Sequence, residues 1–193
     1  MARFFLALLC LSVLQTGRTE PVSFELDSKH TLPLFEVNHL GFSTQRGRFD
    51  RTSGQITLDR ADRKGQVSFV IDAQSINMGS EVWNEKMRSA DFFDTARFPE
   101  IRFESDRLIF EGDRPVAAEG TLTLLGVHQP IRLEIRGFTC GENPILHKPL
   151  CAADIEASLK RSAFGLSRYI PEISDEVRVL VPVEAFRLDS KTP

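Results

Sequence analysis

The sequence predicts an all-β fold, a sandwich or an up-and-down antiparallel barrel of about eight to ten strands, with one short helical plug near residues 80–95. Three observations carry that prediction. Apolar and polar residues alternate with a period of two in run after run from Val22 to Val183, the mark of strands buried on one face. Glycine and other turn-forming residues punctuate these runs at close spacing. Between two such series lies one stretch unlike the rest, in which Trp83, Met87, Phe92, Phe93, Phe98 and Phe103 crowd around a helical pattern.

The chain opens with Arg3, an apolar run from Phe4 to Leu14 and a short polar tail, the build of a secretory signal peptide. The run is too short to cross a hydrocarbon core of roughly 30 Å. Cleavage is therefore expected, after Thr19, leaving no integral membrane anchor. Bulky Leu8 and Leu9 argue against a lipidated Cys10. Removing residues 1–19 leaves 174 residues, enough for one domain over 20–188, with 189–193 read as a disordered tail. The net charge of −3, with both signs interspersed, offers no basic field for nucleic acid. Cys140 and Cys151 are then an even pair in an exported chain, which reads as a disulfide contributing about 3 kcal/mol in the chain-entropy model. A redox or metal pair is the weaker reading, since the two cysteines stand far apart with only His147 between them.

The strands follow in order. Val22, Phe24 and Leu26 face one way, with Ser23, Glu25 and Asp27 opposite; Phe35, Val37 and His39 repeat the pattern against Glu36 and Asn38. Gly41 and Gly47 punctuate the next stretch, and Phe49, Ile56 and Leu58 lead into a return strand beyond a turn at Ser53 and Gly54. Val67, Phe69 and Ile71 continue. Beyond the plug come Ile101 and Phe103, Leu108 and Phe110, Leu122 and Leu124, Ile131 to Ile135, Ile155 to Leu159, and Val177 to Val183. A sheet with one apolar face covers that face and loses its edges by curling closed, and eight strands leave room for side chains or one small ligand. The inward residues are Phe, Val, Ile and Leu, so any cavity is apolar; whether it is filled or hollow is open.

In the plug, Ser80 is placed as an N-cap with Glu81 in the first turn, and Trp83, Met87 and Ala90 share a face. Ser89 or Asp91 is read as capping a second turn that carries Phe92 and Phe93, and Asp94 as capping the next, in preference to an acid–base or metal pair. Pro99 forces Phe98 out of the helical region. His30, His39, His128 and His147 are scattered without metal-ligand spacings, and there is no glycine-rich phosphate loop or Gly-x-Ser-x-Gly elbow. No catalytic residue and no metal site is expected.

These residues carry a resemblance. Asp27 and His30 ahead of Phe35, Val37, His39, Leu40 and Gly41; Gly47 and Phe49; Arg88, Ser89, Asp91, Phe92, Phe93 and Asp94; Pro99 and Phe103; Gly120, Leu122, Leu124 and Gly126; Arg161, Ser162, Phe164 and Gly165; and Asp175 with Val177 stand in the order and spacing of one family. From about Phe24 to Phe186 the chain resembles the YceI-like family of exported polyisoprenoid-binding proteins. The resemblance implies a lipocalin-like antiparallel barrel holding a long isoprenoid tail, of a quinone or a polyprenyl phosphate, with its headgroup near the mouth. No covalent chemistry and no required cofactor is implied. It further implies a lining of Phe35, Val37, His39, Phe49, Trp83, Met87, Phe92, Phe93 and Phe103, with Phe164 near an end. Where the family often has Arg, Asp, a variable residue, His and Leu before Arg88, this chain has Trp83, Asn84, Glu85, Lys86 and Met87, which favours a neutral quinone or lipid over a phosphate.

Basic residues available to an anion are Arg46, Arg48, Lys86, Arg88 and Arg161, unless they form a solvated face. His39 is either a donor to a quinone carbonyl or a core histidine bonded to backbone. The expected partner is an amphiphilic isoprenoid lipid; the oligomeric state is open, a homodimer being one option. The expected location is the bacterial periplasm. Two other classes predict different interiors: a filled-barrel envelope interaction or stress module has no cavity and an apolar outer patch, and an enzyme acting on a headgroup has a perturbed polar cluster at the mouth.

Overall fold

The computed structural model describes residues 20–188; the signal peptide expected over 1–19 and the tail expected over 189–193 lie outside the described residues. The elements are β1 (Val22–Leu26), β2 (Leu34–His39), β3 (Ser43–Phe49), β4 (Thr52–Asp59), β5 (Lys64–Asp72), β6 (Ile76–Asn77), α1 (Glu81–Arg88), β7 (Glu100–Glu111), β8 (Arg114–Leu124), β9 (Val127–Glu142), β10 (Pro149–Lys160) and β11 (Ile173–Arg187). Eight of the strands close an antiparallel barrel in the order β1, β4, β5, β7, β8, β9, β10, β11, with β11 returning to β1. Of the sandwich and the barrel that the alternation allows, the protein is the antiparallel barrel, with one α-helix among the described residues.

Closure depends on β11 serving two neighbours end to end. Its last residues, Ala185 to Arg187, pair with β1, while Ile173 to Leu180 pair with β2, which carries β3 and then β6. The chain passes between the two pairings through residues 27–33. Thr31, fully buried, repairs the ladder there: its hydroxyl donates to the Glu184 carbonyl at 3.2 Å and accepts the Glu184 amide at 3.1 Å. Its own carbonyl accepts the Thr52 hydroxyl at 2.7 Å, tying β4 to the same point.

Two boundaries differ from the sequence reading. Ser53 and Gly54 are not a turn but lie inside β4, paired with Val70 and Phe69 of β5, and a Cβ at Gly54 would stand 2.3 Å from the Ser68 carbonyl and 2.8 Å from Leu26 Cδ1. The glycine meets a close approach of strands rather than a reversal. Ile101, Phe103, Leu108 and Phe110 belong to one strand, β7, interrupted by a bulge between Glu104 and Arg107. Buried Ser105 closes the bulge, its hydroxyl donating to the Glu119 carbonyl at 2.7 Å and accepting the Arg107 amide at 3.1 Å.

The core falls into two clusters along the barrel. One gathers Phe24, Leu26, Leu58 and Ala185; the other Phe49, Ala73, Ile76, Phe93, Ile101, Leu124, Phe164 and Leu166. Cys140 and Cys151 stand opposite each other in the β9–β10 ladder and form the disulfide. Outward-facing charges pair across strands: Arg46, Glu36, Arg178 and Glu156 link β3, β2, β11 and β10. Arg107, Glu119, Arg132 and Glu134 link β7, β8 and β9 in the same way.

Candidate functional site

The barrel is hollow. A cavity of about 370 Å³ occupies the half beside α1, within the range of about 300–1,000 Å³ usual for small-molecule sites. A second hollow of about 130 Å³ lies in the half nearer the disulfide, with Cys151 in its wall. Strands β5, β7, β8, β10 and β11 line both with their inward rows: Val177 and Val179 of β11 face the first, Val181, Val183 and Ala185 the second. At about 3.3 Å per residue and a strand tilt of about 40°, that row extends roughly 20 Å along the barrel axis.

Local sequence explains the lining. On β2, Phe35, Val37 and His39 point inward and meet Gly47, Gln45 and Ser43 of β3. Gly47 is glycine because the Phe35 ring lies over it: a Cβ there would be 2.4 Å from Phe35 Cζ and from Met78 Sδ. Phe35, Phe49 and Phe93 form a triangle of rings with centroids 6.0, 5.4 and 6.4 Å apart, in tilted and edge-on geometry. From α1, Trp83 and Met87, four apart and so on one face, reach the same cavity. Asn84, on the buried side of α1, fastens the helix to the chain after β6: its Oδ1 accepts the Met78 amide at 2.7 Å and its Nδ2 donates to Glu81 at 3.1 Å.

The capping expected in the plug is replaced by other bonds. The Ser80 side chain makes no cap bond, the helix ends at Arg88, and Ala90 lies beyond it, exposed. Asp91 is bonded by Lys86 and by Arg168 Nη1 at 2.5 Å, and Asp94 by Arg97 at 3.2 Å. These carboxylates face cations rather than orphan amides: Arg168 reaches Asp91 from the 165–172 loop, whereas Lys86 and Arg97 come from the adjacent chain. The Lys86 hydrogen bond, with help from Arg168, holds the Asp91 carboxyl below its usual value.

Of the residues expected to line a cavity, Phe35, Val37, His39, Phe49, Trp83, Met87, Phe92 and Phe93 surround the larger one. Phe103 lines the smaller hollow; its ring lies across Gly120, between the β8 residues that face the two spaces, and so stands between them. Phe164 packs in the buried core cluster, not on the lining. His39 lines the cavity on the same face of β2 as Phe35 and Val37.

The expected anion contacts separate. Arg46 is on the outer face with Glu36 at 2.8 Å, Arg48 is paired with Asp50 at 2.6 Å, and Arg88 donates to Glu81 at 2.7 Å and to the Gln74 carbonyl at 3.0 Å. Lys86 is held by Asp91 beside the Phe92 ring. Only Arg161 among the described charged residues lines the cavity. It is 7% exposed and donates to the carbonyls of Ser174, Leu166 and Ile173 at 2.9, 2.5 and 2.9 Å. Burial lowers its pKa, opposed by Asp175. Gln45, Met78 and Leu166 also line the cavity and escape the sequence reading. Gln45 was within reach of the period-two rule, two positions before Gly47 and four before Phe49, whereas Met78 and Leu166 lie in segments without a period.

A cluster of another kind sits on the outside, where Asp27, His30 and Glu184 present ligand atoms all within 4.8 Å of one another. Both Asp27 oxygens are already engaged, Oδ1 by the Lys29 amide at 2.9 Å and Oδ2 by His30 Nδ1 at 2.7 Å. Burial pushes the Asp27 carboxyl up, but the bonds from His30 and Lys29 outweigh it and hold it below its usual value; the same Asp27 bond raises His30. The cluster is thus a turn and an ion pair.

Comparison with known proteins gives concordant results. A family model described as the YceI-like domain matches residues 24–185. A protein named YceI from Salmonella arizonae is 28% identical over 172 residues, covering 88% of this chain and 89% of that one. Among solved structures, BcnA of Burkholderia cenocepacia aligns with a TM-score of 0.71 at 21% identity, over 82% of this chain and 98% of the other. A polyisoprenoid binding domain from Saccharophagus degradans aligns with a TM-score of 0.62 at 21% identity, over 86% and 99%. At these identities the two structures speak for the fold. Among the described residues no helix is long and apolar enough to cross a membrane.

Proposed function

Because this chain belongs to the YceI-like domain family and its barrel is hollow, we propose that it is an exported binding protein that holds the tail of an isoprenoid lipid inside the barrel. The single observation that carries the reading is the cavity of about 370 Å³, bounded by aromatic and aliphatic side chains, with the second hollow beyond Phe103. Each methylene removed from water there contributes about 0.8 kcal/mol, less the cost of ordering the chain. A filled-barrel module has no need of such a space.

A neutral headgroup, as of a quinone, suits the polar groups at the lining better than a phosphate. His39 and Gln45 can hydrogen-bond a carbonyl, whereas the Arg161 guanidinium is committed to three backbone carbonyls. The reaction class is binding without covalent change. The disulfide fits an oxidising compartment, and with the signal-like leader it supports export, to a bacterial periplasm.

The test is native mass spectrometry of protein recovered from the envelope of its own host, followed by organic extraction of whatever is released. Added mass matching an isoprenoid quinone or polyprenyl species is the expected result. A bare polypeptide, with no uptake when such lipids are supplied in detergent, would overturn the carrier reading in favour of an interaction module.

A further inference from the structure

Five large apolar side chains stand exposed on three neighbouring elements: Leu40 and Phe42 at the β2–β3 hairpin tip, Val82 and Trp83 on α1, and Tyr169 in the loop before β11. Their exposures run from 47% for Tyr169 to 91% for Phe42. The hairpin tip and the turn that follows α1 are both held against the 165–172 loop. The Leu40 amide donates to the Glu172 carbonyl at 2.7 Å, Arg168 binds Asp91 at 2.5 Å, and the Phe92 and Tyr169 rings lie 6.3 Å apart. Trp83, Phe92 and His39, the residue before Leu40, line the larger cavity, so this apolar rim is continuous with its interior.

We infer that this rim is a membrane-docking surface, which inserts its apolar tips into the interfacial layer of a phospholipid bilayer. Charge and area select this occupant. The rim segments 40–43, 81–94 and 165–172 carry Glu81, Glu85, Asp91, Asp94 and Glu172 against Lys86, Arg88 and Arg168, and each of these cations is paired with a carboxylate of the rim, so no free cation calls for an anionic partner. Aromatic side chains expose about 150–250 Å² each when free, and at these exposures the five side chains offer about 600 Å². That falls short of the roughly 800 Å² per partner of a stable protein interface and is divided among separate tips. A headgroup layer adapts to such a shape, and Trp and Tyr favour it because one end of each is apolar and the other wet. A lipid passing along the rim into the cavity never crosses water; that consequence rests on the proposed function, whereas docking itself does not.

Trp83 is the only tryptophan in the chain, so its emission reports on the rim directly. The experiment uses the mature protein and vesicles of phosphatidylcholine alone, followed by flotation, Trp83 emission and quenching by brominated lipid. Flotation, a blue shift and quenching by shallowly placed bromines are expected, with little change between low and high salt. The double variant F42S/V82S, altered at two exposed positions off the cavity lining, should lose affinity by about tenfold or more while still taking up lipid from detergent. Unchanged vesicle affinity in F42S/V82S, no flotation of the parent, or binding confined to anionic vesicles and abolished by salt would overturn the inference. So would a dimer in sedimentation that F42S dissociates, which would make the rim a self-association face. If the protein docks but no lipid enters it from detergent, the docking surface stands and the carrier reading falls.

Discussion

Replacing Thr31 with valine tests how the barrel closes. The change keeps the volume and the backbone bonds of residue 31 and replaces its hydroxyl by a methyl. In the protein that hydroxyl accepts the Glu184 amide at 3.1 Å and donates to the Glu184 carbonyl at 3.2 Å, at a site with no solvent exposure. The carbonyl keeps the Asp27 amide at 2.8 Å and loses little. The Glu184 amide, in contrast, is left without a partner where β1 gives way to β2. An orphaned buried donor costs about 1–3 kcal/mol, so T31V should destabilise by about 2 kcal/mol. For a domain of this size that lowers Tm by about 4–8 °C. T31S retains the hydroxyl and loses one methyl, costing about 1 kcal/mol. Urea unfolding followed by circular dichroism, with the disulfide intact, gives both numbers. T31V within about 0.5 kcal/mol of the parent, or T31S less stable than T31V, would refute the role given to this hydroxyl.

Three further outcomes are expected. The His30–Asp27 pair makes stability depend on pH in two directions. His30 is raised from its ordinary 6.5, so its contribution is complete below that value and lost as pH rises through the raised pKa. Asp27 is lowered from 3.8, so its contribution is complete above that value and lost as pH falls through the lowered pKa. The stability difference between parent and H30Q should therefore be larger at about pH 5.5 than at about pH 9; an equal difference at both would remove the ion pair from the account. Substituting G47A places a Cβ 2.4 Å from Phe35 Cζ and Met78 Sδ, so the Phe35 ring must move into the cavity. A cost of about 1–3 kcal/mol and weaker binding of an environment-sensitive hydrophobic dye should follow, and unaltered dye affinity would show that Phe35 does not shape the site. Reducing Cys140–Cys151, eleven residues apart, should lower stability by about 3 kcal/mol, seen as a shifted urea midpoint with reductant; an unmoved midpoint contradicts it.

Alternation along a strand is local physics, and the features that depend on it were legible in the sequence. Val177 to Val183, Phe35, Val37 and Phe49 face inward as their spacing requires. The same rule, applied to Gln45, Gly47 and Phe49, puts Arg46 and Arg48 on the outer face and so weighs against them as contacts for an enclosed ligand. What could not be read depends on partners distant in the chain. Asp91 looks like a cap until Arg168, 77 positions away, is brought beside it. Arg161 looks like a free cation until the 166–174 segment folds three carbonyls around it. The division of β11 between β1 and β2 leaves no trace in periodicity, since both segments alternate correctly and nothing local says that they share one neighbour.

The alternating charges on the outer wall bear on how the chain avoids wrong structures on its way to this one. A shift of two residues between neighbouring strands keeps every apolar side chain inside, so hydrophobic burial alone cannot reject it. In one direction such a shift sets Glu36 against Glu176, and between β8 and β9 it sets Glu119 against Glu134, in place of Arg178 and Arg132. Like charges directly opposite disfavour these trapped alternatives, although exposed pairs of this kind contribute little to the finished protein. Concentrated salt should accordingly leave the unfolding midpoint of the native state almost unmoved while lowering the fraction of chains that refold correctly.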